Sequence, residues 1–331
     1  MQSESKYFIC TEENEEFNNL RLKDSSYLPQ ILQWDQEKLT KTKRMYPFEK
    51  LDYFHEFKVR EDDIWIVTND RCGTTWTQEM TWLILNNLDF DQARSVPLET
   101  RSPFLEQCLN SRLPTPSNFN FESVPSPRLI KCHLPMQLLP KEIWTKKPKI
   151  IYVVRDPRDA FVSSFYLTKL FMGVNSSLSL DMEDYIEKLI KFSCFWNHVL
   201  GFYKLRKQEN ILFYSYEQMK KDLKSVVLRV CNFVGINYKD EEIEKLLEHL
   251  DFKNMKDSES CSHKLEIEQV HKNLQLKDED IDPSMKFIRK GKVGGHRSEL
   301  SPEILKKFNI WENEQLEKYG LTLKDILFSN V

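Results

Sequence analysis

Glycine is scarce in this chain: 8 of its 331 residues are Gly, and no Pro-, Gly- or Ser-rich linker interrupts the sequence. Boundaries between domains usually fall in such linkers. The sequence therefore predicts one domain over residues 61–325, preceded by an extension over residues 1–60 that packs on it. The extension is charged, aromatic-rich and short of strand periodicity, and we expect short helices in it near 27–39 and 46–57.

Long apolar runs are also lacking. Residues 1–14 are polar and acidic, and no later segment approaches the roughly 20 apolar residues that a membrane-spanning helix needs. We therefore expect neither a secretory signal nor a membrane anchor, and a cytoplasmic location.

Cysteine usage and net charge exclude further classes of protein. The 7 cysteines form no Cys-x-x-Cys pair, which is typical of free thiols and not of a disulfide framework or a zinc site. The formal net charge of −3 argues against a nucleic-acid coat or a polybasic membrane surface. Any bound anion must therefore be held by a local site, and we expect no metal.

Residues 63–85 combine a strand, a loop and a helix. The strand is β-branched and aromatic, and the helix has apolar residues at helical spacing. The loop between them offers Gly73, two Thr hydroxyls, the cation of Arg71 and the N–H groups of a helix N-terminus, which together predict a cradle for phosphate or sulfate. With one Gly it departs from the nucleotide-triphosphate loop, and a plain strand–helix turn capped by Thr is an equal alternative.

A second strand is predicted at 128–134, where it stops at a proline. Lys131 and His133 point to the same side of its end, because residues two apart in a strand share a face. A lone His is more often structural, but the ends of parallel strands are where open α/β sheets bind ligands.

A third strand, 150–154, is the clearest buried one, and it leads directly into a helix. Asp156 suits the N-cap and Pro157 the first helical position, which places Arg155 at the helix mouth. Arg155 is then a second candidate anion site, although a surface pair with a neighbouring Asp is the simpler interpretation of this residue alone.

The rest of the chain continues the alternation of helices and strands. We expect a long helix at 181–203, a strand at 211–214, and helices at 217–233, 240–250 and 302–319. This order predicts an α/β fold in which a central parallel, doubly wound sheet has helices on both faces.

Two less regular segments complete the pattern. Residues 97–127 are punctuated by proline and contain Phe104, Phe119 and Phe121, which suits the wall of an apolar pocket or a surface loop with buried anchors. Residues 253–282 are polar and weakly periodic, typical of a mobile flap. The flap ends in a basic run with Gly291, whose backbone is suited to wrapping an anion or to a solvated loop.

Four separated motifs now coincide in order and spacing, and they resemble those of the cytosolic sulfotransferases, most closely the invertebrate members. The motifs are Gly73-Thr74-Thr75-Trp76, Lys131-x-His133-Leu134-Pro135, the junction from Arg155 to Ser163, and Arg289-Lys290-Gly291. The resemblance covers about residues 45–320. It implies the family fold with a P-loop-like phosphosulfate loop, and 3′-phosphoadenosine 5′-phosphosulfate (PAPS) as co-substrate, with 3′-phosphoadenosine 5′-phosphate (PAP) as product.

The resemblance also implies roles for individual residues. His133 is the implied general base, Lys131 steadies the sulfuryl oxygens, Arg71 stabilises the leaving phosphate, and Ser163 completes the catalytic set. The implied nucleotide contacts are Arg71, Cys72, Gly73, Thr74, Thr75, Trp76, Arg155, Ser163, Tyr216, Phe252, Met255, Arg289, Lys290 and Gly291. The implied acceptor is a small hydrophobic alcohol or phenol.

The loop departs from the family pattern, which usually reads Tyr/Phe-Pro-Lys where this chain has Asn69-Asp70-Arg71. Two unit charges 4 Å apart repel by about 4 kcal/mol at an effective dielectric near 20. We therefore expect Asp70 to weaken co-substrate binding unless it points away or pairs with a cation.

These departures keep other interpretations open. The chief alternative is a catalytically degenerate member that binds a nucleotide or a hydrophobic ligand without turnover. A small-molecule kinase is weaker, because the Gly-Lys-Ser/Thr element is absent. A dehydration, in which a sulfate ester forms and then eliminates, is a further alternative.

The family's dimer segment is altered as well. It reads Lys, three residues, Thr-Val, three residues, Glu, and the matching positions are Arg297, Ser301, Pro302 and Lys306. Pro302 lacks an N–H group, and Lys306 reverses the charge of the Glu. We therefore expect a monomer or a dimer formed through another surface.

Overall fold

The computed structural model describes residues 51–106, 120–176 and 181–329 with their side chains. Nearer the N-terminus it describes Lys23, Ser26 and Leu28 and the backbone of three strands. These strands form an antiparallel sheet in the order β1-β2-β3: Phe8–Glu13 (β1), Phe17–Leu22 (β2) and Thr40–Lys43 (β3).

This small sheet corrects the prediction of a purely helical extension. Antiparallel neighbours exchange backbone hydrogen bonds along their length, so short strands can pair even where apolar alternation is weak. The helix predicted at 27–39 lies almost entirely outside the described residues. The helix predicted at 46–57 is present as Leu51–Glu56 (α1), and the part before residue 51 lies outside them too.

A four-stranded parallel sheet forms the centre of the molecule, and it confirms the predicted α/β class. Its order is β5-β4-β6-β7. The strands are Ile64–Thr68 (β4), Leu129–Cys132 (β5), Lys149–Val154 (β6) and Ile211–Ser215 (β7).

Each face of this sheet has its own apolar core, as a doubly wound sheet requires. Residues alternate between the faces along a strand. Trp65 and Val67 of β4 join one core, and Ile64 and Ile66 join the other. Every residue of β4 is buried, which explains why it reads as a continuous apolar run.

Helices surround the sheet on both sides. They are Thr74–Leu85 (α2), Phe90–Ser95 (α3), Leu98–Arg101 (α4), Glu142–Lys146 (α5), Pro157–Met172 (α6), Met182–Phe192 (α7), Phe195–Leu205 (α8), Tyr216–Lys221 (α9), Leu223–Val234 (α10), Asp240–His249 (α11), Phe252–Asp257 (α12), Lys264–Asn273 (α13), Pro302–Leu316 (α14) and Leu323–Leu327 (α15). No helix within the described ranges is both long and apolar enough to cross a bilayer.

Three predicted segments differ from the structure. The helix expected at 181–203 is broken into α7 and α8, because Ser193 is extended and ends α7, where its N–H donates to the carbonyl of Leu189 (2.8 Å). The helix expected at 217–233 is divided at Asp222, which ends α9 and caps the start of α10 through its carboxylate. The segment expected to be a mobile flap contains α12 and α13.

The strand order places a ligand site at a definite point. β4 is flanked by β5 on one side and by β6 on the other, so the chain reverses its direction of winding there. Crevices beyond the carboxyl ends of strands at such a switch point are where doubly wound sheets bind ligands. The loops after Thr68 and Val154 meet at this point.

Candidate functional site

A cavity of about 330 Å³ opens at this switch point. It is lined by the loop between β4 and α2, the start and later turns of α6, the first residue of α9, the residues after β5, and the segment 287–295. Residues 71–76, 155–163 and 289–291 bring cations and backbone N–H groups to one part, which we call the anion end. The other part, which we call the acceptor end, combines Asp70, Lys131, His133 and His263 with apolar side chains such as Phe104, Leu167 and Phe171.

The β4–α2 loop forms the floor of the anion end. Gly73 caps α2 with φ 103°, in the left-handed region that favours glycine. A Cβ at this position would lie 2.9 Å from Cδ2 of Tyr216, so a larger residue would collide with the cavity wall. Thr74 is the first residue of α2, and its Oγ1 lies 2.6 Å from Oγ1 of Thr68. Backbone N–H groups at this helix start are suited to an anion.

Arg71 crosses the cavity from this loop. Its Nε donates to Oγ of Ser163 (3.0 Å) and its Nη2 to the carbonyl of Phe287 (2.8 Å), so the guanidinium joins α6 to the segment after the flap. Burial and the nearby charge of Arg155 together lower the pKa of Arg71 to about 10, and Arg71 is therefore still a cation at neutral pH.

Arg155 lies at the mouth of α6, as predicted. Nη1 donates to the carbonyl of Arg71 (3.2 Å) and Nη2 to that of Lys292 (3.0 Å), while the guanidinium covers the ring of Tyr216 at 4.4 Å. Its Nε is buried without a hydrogen-bond partner among the described residues. A buried donor of this kind fits an incoming anion, because leaving it unpaired costs about 1–3 kcal/mol.

The basic run contributes two more cations. Nη1 of Arg289 and Nζ of Lys290 both bind the carboxylate of Glu299, at 3.1 and 2.8 Å. Arg289 also stacks on the ring of Tyr166 at 4.0 Å. Arg289 and Lys290 line the cavity and Glu299 does not, so the carboxylate of Glu299 binds the two cations on the side away from the cavity.

Aromatic and apolar side chains form a wall beside the cations. Trp76 and Tyr216 lie 5.8 Å apart, and Phe252 and Met255 line the same wall. Gly291 has φ 58°, and a Cβ there would overlap the Phe252 ring, so the basic loop can approach this wall only at a glycine. Flat rings at this spacing suit a planar base.

The position of Tyr216 depends on a cap at the β7–α9 junction. Oγ of Ser215 accepts from the N–H of Gln218 (3.1 Å), and the Gln218 side chain accepts from the N–H of Ser215 (2.9 Å). The same Ser215 hydroxyl donates to the carbonyl of Leu327 in α15 (2.6 Å). The cap is therefore tied to the last helix of the chain.

His133 is fixed in one tautomer at the acceptor end. Its Nδ1 lies 2.9 Å from the carbonyl of Thr68 and 3.1 Å from the Thr68 hydroxyl. A carbonyl oxygen can only accept, so Nδ1 carries the proton and Nε2 holds the lone pair. That lone pair is what a general base needs.

Asp70 is the residue beside Nε2 of His133, at 3.6 Å. Its carboxylate therefore lies at the acceptor end, next to a side chain that becomes a cation when it takes a proton. A protonated His133 would give Asp70 a cationic partner, and the predicted effect of Asp70 on co-substrate binding stays a prediction.

Three further contacts support this end. Nζ of Lys131 lies over the ring of Phe104 at 4.3 Å, and the same ring meets His133 edge-on at 5.2 Å. The backbone N–H of His133 donates to Glu106 (2.6 Å). Burial raises the pKa of Glu106 to about 8.

A buried His flanked by two carboxylates lies farther along the wall. Nδ1 of His263 contacts Glu99 and Glu266, and its ring stacks on Phe287 with 3.9 Å between centroids. Burial alone would lower the pKa of His263, but the two carboxylates raise it above its ordinary value. The two carboxylates therefore favour the protonated form of His263.

The structure brings together almost all of the residues singled out in the sequence. Each residue that was given a catalytic or nucleotide-contacting role lines the cavity except Cys72, whose side chain is fully buried and whose thiol donates to the carbonyl of Asp70. Of the aromatic residues in 97–127, Phe104 lines the cavity and Phe121 packs in the core, while Phe119 lies outside the described residues.

Several residues of the site were missed in the sequence. Asp159 lines the cavity and accepts from the N–H groups of Gly294 (2.7 Å) and His296 (2.9 Å). Its position one turn into the helix that Asp156 caps was a signal that could have found it. Thr68 contacts His133 and His263 contacts Glu99 across large separations in sequence, and no local pattern marked these residues or Glu299.

The cavity combines an anion cradle at a strand–helix junction with a second cluster of cations, a planar wall and the Nε2 lone pair of His133. This combination is typical of an enzyme that transfers a group from a nucleotide. The comparison with protein families names the group. The model of the sulfotransferase domain matches residues 61–320. The chain belongs to the sulfotransferase family, as the sequence predicted, and it is a PAPS-dependent sulfotransferase.

Named relatives agree with this assignment. A luciferin sulfotransferase of Photinus pyralis is 33% identical over 276 residues, which cover 78% of this chain and 73% of the relative. An amine sulfotransferase of Oryctolagus cuniculus is 31% identical, covering 82% of this chain and 86% of the relative.

Among solved structures, retinol dehydratase in complex with retinol and PAP is similar over 92% of each chain. The TM-score is 0.74 and the sequence identity 25%. The parallel sheet with helices on both sides is therefore the fold of this family.

Proposed function

We propose that this enzyme transfers the sulfuryl group of PAPS to the hydroxyl of a small hydrophobic acceptor, an alcohol or a phenol. One observation carries the proposal: a single cavity joins the anion cradle to His133 and Lys131. In-line transfer requires the donor and the acceptor to meet between these two groups.

The anion end fits PAPS on two features of the molecule. The glycines at 73 and 291 leave room where a Cβ would fill the cradle, and Nε of Arg155 is a buried donor with no partner among the described residues. We propose that the β4–α2 loop, residues 71–76, holds the 5′-phosphosulfate. Arg155, Ser163, Arg289, Lys290 and Gly291 would hold the 3′-phosphate, and Trp76, Tyr216, Phe252 and Met255 would contact the adenine.

The catalytic roles follow from the tautomer of His133. Nε2 would take the proton of the acceptor hydroxyl while the acceptor oxygen attacks sulfur and the bond from sulfur to the leaving phosphate breaks. Lys131 would stabilise the sulfuryl oxygens, and Arg71 the charge that grows on the leaving phosphate.

The acceptor end supports a hydrophobic acceptor. Its wall includes Phe104, Leu167, Phe171, Met172 and Val270. Contact between an apolar acceptor and these side chains contributes about 25 cal/mol for each Å² of apolar surface removed from water.

We also propose that the enzyme is located in the cytosol, which cell fractionation would test.

Calorimetry followed by turnover tests this function. We expect PAP to bind with one site per chain, and a mixture of PAPS and p-cresol to yield the sulfate ester and PAP by mass spectrometry. Binding of PAP without turnover of any phenol or alcohol would instead support the degenerate interpretation. Absence of PAP binding would contradict the assignment of the anion end.

A further inference from the structure

β5 is an end strand of the parallel sheet, and a short segment at 103–106 runs beside its outer edge. Phe104 forms a parallel bridge with Lys131, whose N–H donates to the carbonyl of Pro103 (3.0 Å). N–H groups two residues apart in a strand point to the same edge. The N–H of His133, two residues after Lys131, therefore faces this segment as well.

A side chain, and not a backbone carbonyl, accepts from the N–H of His133. In a regular parallel ladder the bonds are evenly spaced, and the next carbonyl of the segment would take this N–H. Here Oε1 of Glu106 accepts it at 2.6 Å, and the two residues are 27 apart in sequence. The ring of His133 is held separately, by the carbonyl of Thr68 at Nδ1 (2.9 Å). Thr68 therefore orients the imidazole, and Glu106 fixes the backbone from which it extends.

The segment that contains Glu106 is itself fixed. Nε2 of Gln78 in α2 donates to the carbonyl (3.2 Å) and the hydroxyl (3.0 Å) of Ser102, and Leu105 is fully buried. Because α2 begins at the anion cradle, one helix supports both the floor of the anion end and the segment that reaches His133. The carboxyl group of Glu106 therefore has a rigid support.

Glu106 lies outside the cavity and is mostly uncharged at neutral pH. Its side chain is fully buried and does not line the cavity, and burial raises its pKa to about 8. A protonated carboxyl group offers one acceptor and one donor, as the amide of Gln does. The contact with the N–H of His133 uses only the accepting oxygen, so it requires neither a charge on Glu106 nor transfer of its proton.

We propose that Glu106 is a positioning residue for sulfuryl transfer: its carboxyl group holds the backbone of His133 and thereby sets where Nε2 meets the acceptor hydroxyl. The inference rests on the proposed role of His133 as the base. It adds a residue that touches neither the nucleotide nor the acceptor and acts through the reach of one oxygen. A displacement of a reacting group by about 1 Å can lower a rate about 100-fold.

Two variants of Glu106 separate the reach of the side chain from its acidity. Glu106→Asp keeps the acid but withdraws it by about 1.5 Å, the length of one C–C bond. Glu106→Gln keeps the oxygen in place but cannot ionise. With PAPS and p-cresol we expect Glu106→Asp to lower kcat about 10- to 100-fold and Glu106→Gln to keep it within about threefold. The loss should lie in kcat and not in KM, and calorimetry should show PAP affinity unchanged in both variants.

Glu142→Asp is the matched control. Glu142 also accepts from a backbone N–H distant in sequence, that of Val59 (3.0 Å), but it does not line the cavity or contact His133. The same shortening there should leave kcat within about twofold, because it acts on local stability alone.

The outcomes separate this proposal from the proposed function. Wild-type kcat in Glu106→Asp would reduce Glu106 to a structural role, and a loss in Glu106→Gln equal to or larger than that in Glu106→Asp would assign its effect to acidity; either result overturns positioning. If Glu106→Asp does not fold, a loss above about tenfold in Glu106→Gln overturns it as well, because acid–base groups contribute at least that much. Absence of turnover in the wild-type protein, with PAP bound, would instead overturn the proposed function.

Discussion

The anion end and the acceptor end of the cavity are built in different ways. At the anion end, cations are held by backbone carbonyls and by Glu299, and glycines admit the ligand next to rings. At the acceptor end, titratable side chains face one another: Asp70 faces His133, and His263 lies between two carboxylates. The charges at the anion end are held in fixed positions, whereas the charges at the acceptor end change when the side chains gain or lose protons.

This difference predicts separable effects. Changes at the anion end should alter nucleotide affinity, and changes at the acceptor end should alter turnover, its acceptor preference and its dependence on pH. The following experiments would show whether the separation holds.

The largest effect is expected at His133. Replacing it with Ala removes the proposed general base and should lower kcat by about 10²- to 10⁴-fold, which is the usual contribution of such a group. PAP affinity measured by calorimetry should stay nearly constant, because the imidazole lies outside the anion end. Unchanged turnover would remove His133 from the mechanism.

Arg155→Met should come next, through binding and not through turnover. Loss of a charge-assisted hydrogen bond predicts a fall in PAP affinity of about 10- to 150-fold. Adenosine 5′-phosphate lacks the 3′-phosphate, so its affinity should change much less. An equal loss for both nucleotides would mean that Arg155 acts by holding the carbonyls of Arg71 and Lys292 and not by binding the 3′-phosphate. Lys224→Met, at an exposed ion pair, controls for net charge.

Gly291→Ala tests the close approach at the planar wall. The new Cβ would collide with Phe252, and we expect PAP affinity to fall about tenfold for a loss near 1.4 kcal/mol. Gly320 has a similar φ of 62° and nothing within 4 Å of a Cβ. Gly320→Ala therefore carries the same backbone strain without the collision, and it should leave PAP affinity unchanged. Equal losses in both variants would assign the effect to stability.

Two buried carboxyl groups, Glu106 beside the acceptor end and Glu217 beside the anion end, should lose their stabilising contributions over different pH ranges. Burial raises the pKa of Glu106 to about 8 and that of Glu217, which accepts from the N–H of Asp156, to about 7. The folded chain then binds more protons than the unfolded chain above the ordinary value of 4.5. The stabilising contribution of each carboxyl is full below that value and is lost as the pH rises through its folded pKa.

Urea unfolding at several pH values measures this difference. Between about pH 5.5 and 8 the unfolding free energy of Glu106→Gln should fall less steeply than that of wild type, by up to about 1.4 kcal/mol per pH unit. Glu217→Gln should show the same change over a narrower range that ends near pH 7. A steeper fall in either variant would reverse the assigned direction.

The smallest effect is expected from assembly. Ser301 caps α14 by accepting from the N–H of Ile304, and Pro302 is its first residue, so both serve a helix start. We expect sedimentation at micromolar concentration to give a mass near 39.6 kDa. A doubled mass that is lost on changing Ser301 and Lys306 would show that the altered segment still dimerises.

The anion end could be predicted from the sequence because its parts are local. Gly73 to Trp76 form one strand–helix loop, and Arg155 follows a buried strand directly, so a short pattern contains each element. The acceptor end joins Asp70 to His133, and Glu99 to His263, across large separations in sequence. A single sequence has no signal for such pairs, and from the sequence Asp70 was recognised only as an added negative charge.

The same physical reason explains the errors in the fold. The four strands of the parallel sheet are indicated by short, mainly apolar runs in the sequence, and all four were predicted. The break between α7 and α8 depends on one extended residue, Ser193, and the N-terminal strands depend on pairing with one another. Neither is visible in the periodicity of one segment.

The Ser215 hydroxyl links two distant parts of the chain. Through Leu327 it ties the last helix to the cap that positions Tyr216 against Gly73 and Arg155. Events at the carboxyl-terminal helix, such as a partner that lifts it or a label attached beside it, would therefore reach the cavity through this hydrogen bond and through the one that Nε2 of Gln218 donates to the carbonyl of Ser329 (3.5 Å). The fluorescence of Trp76, 5.8 Å from Tyr216, would report them.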